Sequence, residues 1–111
     1  MNLTTEKIGN TIVIMLNEER LDAHNSSNLK SEVQRIFEEG SKHLLINLIN
    51  VRFIDSSGLG ALVSGFKNAT ANQGTLKLSS LQPQVKSMFE LTRLHRVFEI
   101  FPTVTEALAQ P

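Results

Sequence analysis

Two spacings of apolar residues take turns along the chain. Residues 11–16, Thr-Ile-Val-Ile-Met-Leu, form a nearly unbroken apolar run rich in β-branched side chains. Such a run predicts a strand covered on both faces. Residues 3–8 supply a partner strand, with Gly9 and Asn10 turning between the two. Residues 17–25 are polar and read as a loop. Leu29, Val33, Ile36 and Phe37 then recur at i, i+4, i+7 and i+8, the spacing of one buried helix stripe. The spacing predicts a helix from near Ser26, with Gly40 as its C-terminal cap. Residues 43–49 are the most apolar run and predict a central strand. A second helix is expected over about residues 57–72, with Leu59, Leu62, Val63, Phe66 and Ala69 as its core stripe. Leu76 and Leu78 alternate inward in a strand over 75–79. Pro83 suits the first turn of a third helix that carries Val85, Met88, Phe89 and Thr92 on one side. Phe98–Phe101 reads as a short edge strand, and Thr103-Val-Thr-Glu106 as a capping box before Ala107 and Leu108.

The predicted order is ββαβαβα(β)α. Strands that alternate with helices require parallel crossovers, hence an α/β sheet. Connections are short and no repeat or linker interrupts them, so one domain is expected over 1–111.

Composition narrows the function classes. Hydrophobic residues make up 41% of the 111, enough for a core that needs neither metal nor disulfide. The sequence has no cysteine, which removes thiolate metal sites and cysteine nucleophiles. Lys plus Arg equals Asp plus Glu, at 11 each, and Trp and Tyr are absent. A neutral chain without stacking platforms is poorly suited to nucleic acid. Met1–Gly9 does not read as a signal peptide, and no uncharged apolar run is long enough to span a bilayer. A cytoplasmic protein is expected, with no membrane or nucleic-acid partner, no cofactor and no metal, as a monomer or weak dimer.

The segment Phe53-Ile-Asp-Ser-Ser-Gly-Leu-Gly-Ala-Leu62 follows a buried strand and opens a helix. In open α/β sheets, functional loops lie beyond the carboxyl ends of strands. Asp55, Ser56 and Ser57 are all good N-cap types, and one cap needs only one of them. The bland reading is a cap and a decorated turn. The helix that follows argues for more. On a helical wheel, Gly58, Ala61, Ser64, Gly65, Asn68 and Asn72 fall away from the core stripe, and none is charged. Solvated faces normally carry Lys and Glu. A mid-helix glycine such as Gly65 costs ~1 kcal/mol relative to alanine. The bare face, with Gly60 at its start, is therefore expected to be a docking surface, with Ser56 at its top. A phosphoserine at that position would add roughly −1.5 to −2 charges. The helix N-terminus would offset part of this, so the fold should survive. A partner packed over Ser56 would lose on the order of 2–5 kcal/mol, with Asp55 adding like-charge repulsion.

These residues carry a resemblance. Leu21-Asp-Ala, the helix ending at Gly40, the strand Leu44-Leu-Ile-Asn-Leu48 and above all Phe53-Ile-Asp-Ser-Ser-Gly-Leu-Gly60 are similar to STAS-domain proteins, and in particular to stand-alone bacterial anti-sigma factor antagonists. The resemblance covers about residues 3–108. It implies a mixed sheet of four to five strands with about four helices. It implies that Ser56 is phosphorylated by an anti-sigma factor that is itself a serine kinase. The unphosphorylated form would bind that kinase and release a sigma factor, and a metal-dependent serine phosphatase would reset the cycle. Asp22 matches a position that the family uses near the same surface, and Asn47 a strand position where members carry Asp or Asn.

Other chemistries fit poorly. Gly60 and Gly65 have P-loop spacing, but Phe66 stands where lysine is needed. A nucleophile elbow at Ser56 fails at Ile54. His24, His43 and His95 show no metal-ligand spacing, and none stands out as a base for a hydrolase built on Ser56 and Asp55. The sequence thus favours a phospho-regulated binding module that is not an enzyme. Asp22, Asp55, Ser57, Gly58, Gly60, Ala61, Ser64, Gly65 and Asn68 form its expected partner surface. The alternative is a constitutive subunit of a larger regulatory or transport assembly, which would use the same face without phosphorylation.

Overall fold

The computed structural model describes residues 1–110; Pro111, the last residue of the expected domain, lies outside them. Strands β1 (Leu3–Ile8) and β2 (Thr11–Leu16) form an antiparallel hairpin in which Leu3 faces Leu16 and Ile8 faces Thr11. The short strand β3 (Arg20–Leu21) precedes helix α1 (Ser26–Glu38). The chain then runs through β4 (His43–Asn47), β5 (Phe53–Ile54), α2 (Ser56–Ala71), β6 (Thr75–Ser79) and α3 (Pro83–Leu91). After a 3-10 turn at Leu94–Arg96 it ends in β7 (Ile100–Phe101) and α4 (Val104–Leu108).

The main sheet has five strands in the order β1-β2-β4-β6-β7, and β4 is central as its apolar run predicts. Every pairing beyond the hairpin is parallel, the result of helical crossovers between consecutive strands. The mixed α/β fold of five strands and four helices matches the expectation. α1 closes where Gly40 adopts φ +100°, a conformation that costs a residue with a Cβ. Thr103 caps α4 by accepting a hydrogen bond from the Glu106 N–H at 3.1 Å, as the capping box predicts.

Strand alternation divides the core in two. Ile14, Leu16, Leu44, Ile46, Leu76 and Leu78 point to one face and join the stripe of α1 (Leu29, Val33, Ile36, Phe37) with Leu59, Leu62, Val85 and Phe89. Phe98 locks the far end of this core, edge-on to Phe66 at 5.4 Å and to Phe89 at 5.8 Å. Val13 and Leu45 point the other way, where α4 covers them with Ala107, Val104 and Leu108, joined by Phe101 of β7. Helices α1 and α2 pack side by side on the first face.

One feature departs from the sequence reading. The loop expected over 17–25 contains β3, which pairs in parallel with β5 as a separate two-stranded ribbon. Two residues per strand are too few to show a period, so the pairing leaves no trace in the hydrophobic pattern.

Candidate functional site

The β3–β5 ribbon ends at the start of α2 and sets its geometry. Arg20 faces Phe53 and Leu21 faces Ile54 in the ribbon. The Asp55 N–H then donates to the Leu21 carbonyl at 3.2 Å. Asp55 caps α2 from an extended backbone, its Oδ1 accepting from the Gly58 N–H at 2.9 Å. Its other oxygen, Oδ2, accepts from the Ala23 N–H at 3.3 Å. One carboxylate therefore ties the mouth of α2 to the turn that precedes α1.

That turn is held from within by Asp22, whose residue is only 9% exposed. Its Oδ1 accepts from the His24 N–H at 3.0 Å and its Oδ2 from the Arg20 Nε at 3.2 Å. The Asp22 N–H donates to Asn25 Oδ1, and Asn25 Nδ2 donates back to the Arg20 carbonyl. The His24 amide lowers the Asp22 pKa from the ordinary carboxylate value, Arg20 adds to the effect, and burial opposes both. Arg20 also stacks on the Phe53 ring, 4.1 Å from its centroid. Asp22 thus acts by shaping the turn. Its carboxylate meets groups of its own chain.

Ser56, the first residue of α2, is exposed, and so is Ser57. Neither is needed as the cap, because Asp55 fills that role. Gly60, one turn further along, is exposed as well, and an added Cβ there would meet nothing within 4 Å. Ser64 and Asn68 are half-buried along the same helix, and Asn68 accepts a side-chain hydrogen bond from Asn72. Ser56, Ser57 and Gly60 give the expected surface an exposed start, with Asp55 and the Asp22 turn held against its upper end.

Three members of the expected surface face the wrong way. Gly58, Ala61 and Gly65 are buried. A Cβ on Gly58 would lie 2.3 Å from the Leu21 carbonyl oxygen, and one on Gly65 2.9 Å from Leu76 Cδ1 and 3.3 Å from Val33 Cγ1. Ala61 is 1% exposed within the main core. The reason is that α2 has two partners besides the sheet. α1 packs along its flank, and β3 crosses its first turn, so small residues at 58, 61, 65 and 69 let these neighbours approach. A small-residue flank looks the same in sequence whether a neighbour of the same chain or a separate molecule fills it.

Arg20, Phe53, Ala23 and Asn25 escaped the sequence reading. A large apolar residue left 41% exposed at Phe53 beside a charged Arg20 is a surface feature only the ribbon creates. Asn25 three residues after Asp22 was the available signal, since an aspartate and a following asparagine commonly order a turn through their own side chains.

The family model of the STAS domain matches residues 2–107. A Thermotoga neapolitana protein named as an anti-sigma factor antagonist homolog is 30% identical over 105 residues, 94% of this chain and 93% of its own. The anti-sigma-B factor antagonist of Bacillus subtilis is 31% identical over 80 residues, covering 72% of each chain. In fold, the chain superposes on Bacillus SpoIIAA, an anti-sigma factor antagonist. The unphosphorylated form gives a TM-score of 0.82 at 24% identity, covering 96% of this chain and 93% of that one. The phosphorylated form gives 0.76 at 22% identity, with 98% of each covered. Among the described residues, no helix is long and apolar enough to cross a membrane. The family model matched over residues 2–107 and a relative 30% identical across 94% of the chain agree with the observed sheet and crossovers: the chain belongs to the STAS domain family.

Proposed function

We propose that this protein is an anti-sigma factor antagonist. In its unphosphorylated form it binds an anti-sigma factor that is a serine kinase, and phosphorylation of Ser56 releases it. A serine phosphatase restores the binding form. The observation that carries this reading is the exposed Ser56 hydroxyl beside Asp55. Asp55 already caps the helix, so Ser56 is left without a structural duty. SpoIIAA exists in phosphorylated and unphosphorylated forms, which makes a phosphate compatible with this fold.

The physics of the switch is local. A phosphate on Ser56 lies at the positive end of α2, which tolerates negative charge. A partner pressed over Ser56 and Gly60 would have to bury that charge, with the Asp55 carboxylate next to it. Such a mismatch costs on the order of 2–5 kcal/mol, or roughly 30-fold to several thousand-fold in affinity. The partner surface is the exposed strip of Ser56, Ser57 and Gly60, extended by Ser64 and Asn68. Asp22 and Asp55 hold its upper end in shape.

Incubation with the cognate kinase and ATP, followed by mass spectrometry, should place one phosphate on Ser56. Ser56→Ala should block incorporation and still bind the kinase. Ser56→Asp should lose at least about 30-fold in affinity. Binding of Ser56→Asp equal to that of the unmodified protein would remove the switch. A stable large complex indifferent to phosphatase would favour a constitutive subunit instead.

A further inference from the structure

Among the described residues, α4 is the helix that covers the sheet face opposite α1 and α2, and it is only five residues long. Strand register arranges this face in rows. Thr11, His43 and Thr75 stand side by side on β2, β4 and β6 at the amino ends of the parallel strands. Val13, Leu45 and Lys77 form the next row. α4 packs Ala107 and Leu108 against Val13 and Leu45, and the same two residues border a cleft that includes the first row. The strip that the described residues leave open is a cleft of about 320 Å³, lined also by Asn10 and Gln110. It lies at the opposite end of the strands from Ser56, which follows the carboxyl end of β4 through β5.

Among the described residues, the lining of this cleft has one sign of charge. Lys77 contributes an ammonium group, which donates to the Gln110 carbonyl at a long 3.4 Å and lies 5.4 Å from the Phe101 ring centroid. His43 contributes an imidazole whose Nδ1 is 2.9 Å from Thr75 Oγ1. Thr11, Thr75 and Asn10 add neutral donors and acceptors, and Leu45, Ala107 and Leu108 give an apolar wall. No aspartate or glutamate is among the described residues that line it. In the Lys77 row the carboxylate is Glu6, three strands away, or roughly 14 Å at the usual strand spacing.

We propose that this cleft binds a small organic monocarboxylate, with its carboxylate on Lys77 and its apolar body against Leu45, Ala107 and Leu108. Three features select that class. A single ammonium balances one negative charge, which favours a monoanion over a phosphate dianion. The hydroxyl row of Thr11 and Thr75 supplies further donors around the head group. At ~30 Å³ for each water-sized unit, the volume holds roughly ten non-hydrogen atoms, the size of benzoate or hexanoate. The lysine's tie to the Gln110 carbonyl is long, and a carboxylate can replace it.

The test is an amide NMR titration of the whole chain with benzoate, hexanoate, benzamide and inorganic phosphate. Saturable shifts at Thr11, His43, Thr75 and Leu108 with the two carboxylates, and none with benzamide or phosphate, are expected. Lys77→Gln should weaken benzoate at least about tenfold, while Lys67→Gln on α2 leaves it unchanged. Absence of saturable shifts up to ~10 mM benzoate, a millimolar threshold set by the weakest useful affinity, would overturn the proposal. So would equal binding of benzamide, tighter binding of phosphate, or affinity indifferent to Lys77→Gln. None of these outcomes bears on Ser56, so the cleft and the switch stand or fall separately.

Discussion

Gly58 and Gly60 are two residues apart on α2 and meet opposite surroundings. Beneath Gly58 the Leu21 carbonyl leaves no room for a Cβ, whereas above Gly60 there is open space. Both are glycine in a helix, and both cost ~1 kcal/mol in helix propensity. For Gly58 the fold accounts for the cost, because β3 must cross there to hold Asp55 and the Asp22 turn. For Gly60 nothing among the described residues accounts for it. A small residue that the packing does not require, next to an exposed serine that the cap does not require, is what the proposed docking of another molecule accounts for. The inner flank of α2 serves architecture, and the outer strip is the surface that the proposed function assigns to recognition.

That contrast can be broken by substitution. Gly58→Ala should be the most damaging change. Its Cβ meets backbone, which cannot swing aside, so overpacking outweighs the propensity gain and costs about 2 kcal/mol. Thermal denaturation should then show a fall of about 8–16 °C for a domain of this size. Gly60→Ala should do the reverse and stabilise the fold by about 0.5–1 kcal/mol, while a pull-down with the kinase weakens by about tenfold. A Gly60→Ala protein that is stabilised and binds as before would take Gly60 out of the docking strip. The smallest effect concerns Asp22. Its folded pKa is lowered from the ordinary value of 3.8, so its contribution is complete above that pH and is lost as pH falls through the folded value. Wild type and Asp22→Asn should therefore differ most in melting temperature near neutral pH and converge as pH falls below 3.8 and through the lowered folded value.

Much of this molecule was legible in its amino acids. The β-branched run of residues 11–16 and the apolar run beginning at His43 could only be covered strands, and they became β2 and the central β4. The α1 stripe of Leu29, Val33, Ile36 and Phe37 is buried as its spacing demands. Asp55, Ser56 and Ser57 marked the mouth of α2 because three cap-type residues in a row exceed what a helix start uses. Illegible were the short ribbon of β3 and β5 and the destination of the small residues at 58, 61 and 65. Small side chains carry little information about their neighbours, because removing bulk allows approach by any surface.

Local periodicity and cap chemistry, both contained in the order of residues, determined the elements and the position of Ser56 at a helix start. The division of α2 into a packed flank and a free strip depended on where α1 and β3 came to rest. That is a long-range outcome, fixed by the joint packing of all the strands and helices on one sheet. Tertiary structure alone could decide it, since two glycines with the same backbone preference differ only in what stands opposite them.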